Sequence, residues 1–162
     1  MKNLDTAEIK FRETTESNSK YAKRLTQYIE FLLSSDRILE SEFYFKKLHK
    51  LKKDNLVTAV LGYKISIKTF NKEGVLHFDK IIFDMKNPKN EITHLWLQLQ
   101  FYYSQNNATL STSHACFLLL NHKLESNVLT TIIEIAINTH NYKIVSTLTY
   151  YMRKNRITPG EA

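Results

Sequence analysis

Apolar residues recur at helical spacing along most of this chain. Leu25, Tyr28, Ile29, Leu32 and Leu33 form one stripe, and Ile38, Leu39, Phe43, Phe45, Leu48 and Leu51 a second. Val57, Val60, Leu61, Ile65 and Phe70 form a third, then Val75, Phe78, Ile81, Ile82 and Met85 a fourth. Ile92, Leu95, Trp96 and Leu99 are followed by Leu110, Phe117, Leu118 and Leu120. Leu129, Ile132, Ile133, Ala136 and Ile137 precede Ile144, Val145, Leu148, Tyr151 and Met152. Three- and four-residue steps of this kind place apolar side chains on one helix face. Before them, residues 1–17 are polar and read as an N-terminal arm, leaving 18–162 as a single helical domain.

The punctuation between stripes is itself periodic. Asn, Asp and Ser suit the first position of a helix because a short side-chain oxygen accepts an orphan backbone N–H. Asn18, Asn55, Asn90 and Asn127 each precede an apolar stripe, at separations of 37, 35 and 37 residues. Asp36, Asn71, Asn107 and Asn141 fall between them, at separations of 35, 36 and 34. Two interleaved series with a common period predict a helix-turn-helix unit used about four times, an all-α solenoid. One stretch is ambiguous. Tyr63 to Lys68 alternates apolar and polar residues and runs into Asn71-Lys72-Glu73-Gly74, which taken alone reads as a β-hairpin. The cap spacing continues through it and favours helix.

Composition narrows the class. The chain has 162 residues, 43% hydrophobic, with 3 Gly and 2 Pro. That is too few turn formers for an all-β fold and leaves no Gly-rich phosphate loop. The lone Cys116 excludes an internal disulfide. Six histidines show no metal-ligand spacing, and no paired carboxylates or nucleophile motif stand out, so neither cofactor nor enzymatic activity is expected. The longest apolar run, Ala115 to Leu120, is far short of a membrane span of about 20 residues. Asp5, Glu8, Glu13 and Glu16 make the first residues unlike a secretory signal or an Arg-rich presequence. The net charge of +7 favours anionic partners.

The second unit, VTAVLGYKISIKTFNKEGVLHFDKIIFDMKNP, resembles a tetratricopeptide or pentatricopeptide repeat. Leu61-Gly62 matches the small position of the first helix. Gly74, Phe78 and Ile81 match the small and aromatic series of the second, and Pro88 the closing proline. The fourth unit, ending in Leu148, Met152, a basic stretch and Ile157-Thr158-Pro159, is more similar to a pentatricopeptide repeat. The third departs, with His114 at an aromatic position and Leu110 at a small one, as Ile144 stands at a small one in the fourth. The resemblance implies right-handed stacking and a groove lined by first helices. It also implies single-stranded RNA as ligand, in mitochondrial RNA processing or translation, or assembly into a ribonucleoprotein. A tetratricopeptide-like groove implies a peptide or partner helix instead. Gly160-Glu161-Ala162 falls where a fifth unit would begin, so the array is expected to continue or to be completed by a partner.

Candidate phosphate contacts are Lys46, Lys47, Lys50, Lys52, Lys53, Lys64 and Lys68. The same lysines also suit a solvated helix face. Tyr63, Tyr102 and Tyr103 are candidates to stack on bases, or to pack between helices. In a trial register Val60, Trp96 and Thr130 take the early base-reading position that the resemblance implies, and of these Thr130 alone is suitably polar.

Overall fold

The computed structural model describes residues 18–85 and 87–156. The arm assigned to residues 1–17 and the closing Ile157-Thr158-Pro159 lie outside the described residues. Those residues form eight α-helices and one 3-10 turn, with no strand among them. The helices are α1 (Asn18–Ser34), α2 (Ile38–Leu51), α3 (Leu56–Lys68) and α4 (Lys72–Asp84). The 3-10 turn Pro88–Asn90 leads into α5 (Glu91–Ser104), α6 (Ala108–Asn121), α7 (Ser126–Thr139) and α8 (Tyr142–Lys154). The all-α expectation holds, and the hairpin alternative over Tyr63–Lys68 does not.

The physical reason is burial. Thr58, Ala59, Leu61, Gly62, Tyr63, Ile65 and Ser66 of α3 are all buried. A helix covered on most sides carries no clean amphipathic stripe, so its sequence period is weak.

The second cap series acts as expected at three of its four positions. The Oδ1 atoms of Asn71, Asn107 and Asn141 accept from Gly74 N at 2.9 Å, Leu110 N at 3.1 Å and Ile144 N at 3.1 Å. The fourth position is displaced. Asp36 sits in the left-handed region at φ 57°, and Arg37 precedes α2 without a side-chain cap. Of the first series, Asn55 accepts from Val57 N at 2.8 Å. Asn90 makes no cap bond, because Pro88 starts a 3-10 turn that Asn87 caps through Lys89 N. Asn127 lies one residue inside α7, whose N-cap is Glu125. The side chain of Asn18 is outside the described set.

The four turns α1–α2, α3–α4, α5–α6 and α7–α8 share one backbone design. Each places a non-glycine residue in the left-handed region: Asp36, Phe70, Asn106 and His140, 34, 36 and 34 residues apart. The following N–H bonds five residues back, as from Arg37 to Leu32 O, Asn71 to Ser66 O, Asn107 to Tyr102 O and Asn141 to Ala136 O. The left-handed residue bonds three back, as from Asp36 to Leu33 O and Phe70 to Ile67 O. This pair of bonds satisfies carbonyls that a helix end leaves orphaned.

The helices group into two compact units divided between Ile81 and Ile82. No Ser/Gly/Pro linker marks the division, since it falls inside α4. In the first unit, α1 packs on α2 and α3, and α2 packs on α3. Its core includes Leu25, Ile29 and Leu32 of α1, Phe45 and Leu48 of α2, and Val75 and Phe78 of α4. Each such large side chain, fully buried, contributes about 1.5–3 kcal/mol of transfer free energy. A Cβ built on Gly62 would lie within 2.6 Å of three carbons of the Phe78 ring. The small and aromatic positions singled out in the sequence therefore meet face to face.

In the second unit α5 packs on α6, α6 on α8 and α7 on α8. Leu99, Leu118, Ile132, Ile135 and Ile144 centre its core. Polar ties join its helices, among them Trp96 Nε1 donating to Thr131 Oγ1 at 2.9 Å and Leu124 N donating to the Tyr151 hydroxyl at 2.9 Å. The second satisfies a backbone donor in the irregular α6–α7 connection.

Candidate functional site

The lysines singled out in the sequence divide between two settings in the first unit. Lys46, Lys47 and Lys50 lie on α2, and Lys52 and Lys53 follow its end. Positive charge there complements the negative end of the helix dipole. Lys46 is exposed and pairs with Glu42 at 3.3 Å. Lys47 places its ammonium 4.5 Å from the centre of the Phe43 ring and 4.8 Å from that of Tyr44. Lys50, Lys52 and Lys53 are exposed.

Lys64 and Lys68, on α3, have acidic neighbours from the first hairpin. Lys68 Nζ lies 3.7 Å from Asp36 Oδ1. Lys64 is half-buried, and burial holds its pKa below the usual ammonium value while Glu30 opposes the shift. Lys64, an ammonium held partly out of water near a carboxylate, is a poorer phosphate contact than an open one, whereas Lys68 is exposed and its pair is a surface one.

The aromatic candidates fare differently. Tyr63 is 1% exposed, so its ring faces core and not solvent. Of the two readings of Tyr63, its burial fits packing between helices and removes it from the base-stacking candidates; the ambiguous period of α3 concealed which of its residues face inward. Tyr102 is half-buried against Phe101 and His114, at ring separations of 5.6 and 5.0 Å. The Tyr103 hydroxyl accepts from Asn138 Nδ2 at 3.1 Å. Thr130 is exposed on α7, and its hydroxyl donates to Ser126 O at 2.8 Å. It belongs to the second unit, apart in sequence from the lysines.

Sequence reasoning missed a different group. Phe43 was assigned to an apolar stripe, yet it is 56% exposed, as is Phe31 at 42%. Tyr28 lies 6.5 Å from Phe31, Tyr44 lies 4.9 Å from Tyr28, and Phe43 lies 5.2 Å from Tyr44. The four rings form one row across α1 and α2, with the Lys47 ammonium over its far end. The available signal was the local mixture of aromatics and lysines, FYFKK, at Phe43–Lys47.

Two further features border these elements. His49 on α2 stacks on Phe45 at 5.6 Å and meets Phe78 edge-on at 6.1 Å. Its Nε2 is buried without a hydrogen-bond partner. Burial first, then the positive charges of Lys53 and His77, hold its pKa below the usual imidazole value, and Asp54 opposes them. In the second unit an open groove of about 530 Å³ runs past Phe83, Pro88, Glu91, His94 and Gln98. Among the described residues no group of three or more His, Cys, Asp or Glu could hold a metal ion.

Comparison with protein-family models, curated proteins and solved structures finds no match to this chain. No helix among the described residues is long and apolar enough to cross a membrane.

Proposed function

We propose that this is an RNA-binding protein of helical hairpins, stacked as a right-handed α-solenoid and acting in mitochondrial RNA processing or translation. The observation that carries the RNA reading is the uneven charge. Sixteen of the 23 basic residues and 11 of the 16 acidic ones fall in residues 1–81, so +5 of the +7 charge resides there. Around the end of α2 these charges stand open to solvent, and phosphate attraction is long-ranged enough to use them. The near-equal spacing of the four left-handed turns, 34, 36 and 34 residues, supports the repeat reading.

Binding is tested by titrating a labelled single-stranded RNA at increasing salt. Engagement of Lys46, Lys50, Lys52 and Lys53 predicts a log–log slope of about −3, since each phosphate contact on a single strand contributes about −0.7. Absence of salt-sensitive binding at low ionic strength refutes the proposal.

A second reading, a scaffold for a peptide or partner helix, draws on exposed apolar side chains. Leu39 on α2, Leu76 and Phe83 on α4, Leu120 on α6 and Tyr150 on α8 are each more than half exposed. It predicts capture of a protein partner by a binding mode insensitive to salt.

A further inference from the structure

We propose that the row Phe31–Tyr28–Tyr44–Phe43 on α1 and α2 is the base-stacking platform of the RNA site, with Lys46, Lys47 and Lys50 receiving the phosphates. The inference rests on the RNA-binding reading and locates it on a surface other than the α3 residues picked from sequence.

Three observations converge. First, the rings are contiguous, with successive centroids 6.5, 4.9 and 5.2 Å apart. Second, the two ends are open: Phe31 and Phe43 are 42% and 56% exposed, where water gains little from an aromatic face. Third, the charge is of the right sign and in place. The Lys47 ammonium lies over two of the rings, Lys50 stands exposed on the same helix, and Lys46, also exposed, exchanges its surface pair with Glu42 for a phosphate. Flat rings beside fixed cations are what a flexible polyanion with planar bases requires. Each base offers a π-face and each phosphate a charge, so no sequence-specific hydrogen bond is needed. An apolar peptide would use the rings but not the lysines, and an acidic peptide the reverse. Single-stranded nucleic acid uses both.

The test is fluorescence anisotropy of a labelled 12-nucleotide oligouridine with the full chain and with F31A, F43A and F43L. Neither phenylalanine is buried in the core, and circular dichroism checks that each variant is folded. F43L keeps apolar bulk and removes the planar face, which separates stacking from packing. Each variant is expected to raise Kd at least about fivefold while leaving the salt slope unchanged. K50A is expected to lower the slope by close to one contact's share instead. L76A, on α4, serves as an exposed apolar control and is expected to bind like the parent.

Parent-level binding by F31A, F43A and F43L, with the parent still bound in a salt-sensitive manner, overturns the platform and leaves the RNA reading standing. No binding by the parent removes both. Oligoglutamate competing as well as oligouridine also overturns the platform, because a polyanion without bases would then suffice.

Discussion

Gly62→Ala is the sharpest probe of the first unit. In an open helix this change stabilises, by up to about 1 kcal/mol, because alanine restricts the unfolded chain and favours helix. Here the added methyl would fall within 2.6 Å of Cζ, Cε1 and Cε2 of Phe78, against an ordinary contact limit of 3.4 Å. The ring must retreat by about 1 Å. It has little room, since Phe78 is 8% exposed, with Phe45 at 5.7 Å and His77 at 5.0 Å. Overpacking of a filled core costs about 1–3 kcal/mol. The net expectation is a loss of about 1–2 kcal/mol, read as a lower urea midpoint with an unchanged denaturant slope. Repeating the change in a Phe78→Leu background removes the ring, so alanine should then be neutral or mildly favourable. The double-mutant cycle should return a coupling of similar size, about 1–2 kcal/mol. If Gly62→Ala raises the midpoint in the parent, the close approach of α3 and α4 does not constrain position 62.

Phe70→Gly is expected to stabilise by about 0.5–1 kcal/mol in thermal or urea denaturation. It relieves a φ of 55° that a bulky side chain tolerates badly, while Phe70 is 74% exposed and has little packing to lose. Loss of stability would mean that the ring has a structural partner. His49 makes the fold sensitive to acid. Its folded pKa lies below the ordinary value of 6.5, so the unfolded chain binds the proton more readily. Its contribution is fully present above about pH 6.5 and is lost as pH falls from there through the folded pKa. The drop in urea midpoint between pH 7.5 and 5.5 should therefore be smaller in His49→Gln than in the parent, and an equal drop refutes the assignment.

Helix content was legible because caps are local. Asn71, Asn107 and Asn141 each bond a backbone N–H three residues ahead, and such bonds leave a residue-type signature. The turn residues beside them left none. Phe70 and His140 adopt left-handed backbone where glycine is the usual marker, so the recurrence of that geometry was invisible. Pro88 displaced the expected cap at Asn90 by imposing a 3-10 turn first. The candidate site was less legible, because facing depends on neighbours distant in sequence. Tyr63 and Phe43 both lie in apolar runs, yet the first is enclosed in the core and the second, beside Tyr44 and Lys47, stays 56% exposed.

The four matching turns also bear on how the chain finds its structure. Each closes through backbone bonds spanning three to five residues, from Arg37 to Leu32 at one end and from Asn141 to Ala136 at the other. The entropy lost in joining two rods is then small and local, and low contact order goes with rapid folding. A chain assembled from such self-closing hairpins can nucleate at more than one of them, before the longer-range packing of α1 on α3 and α6 on α8 completes each unit.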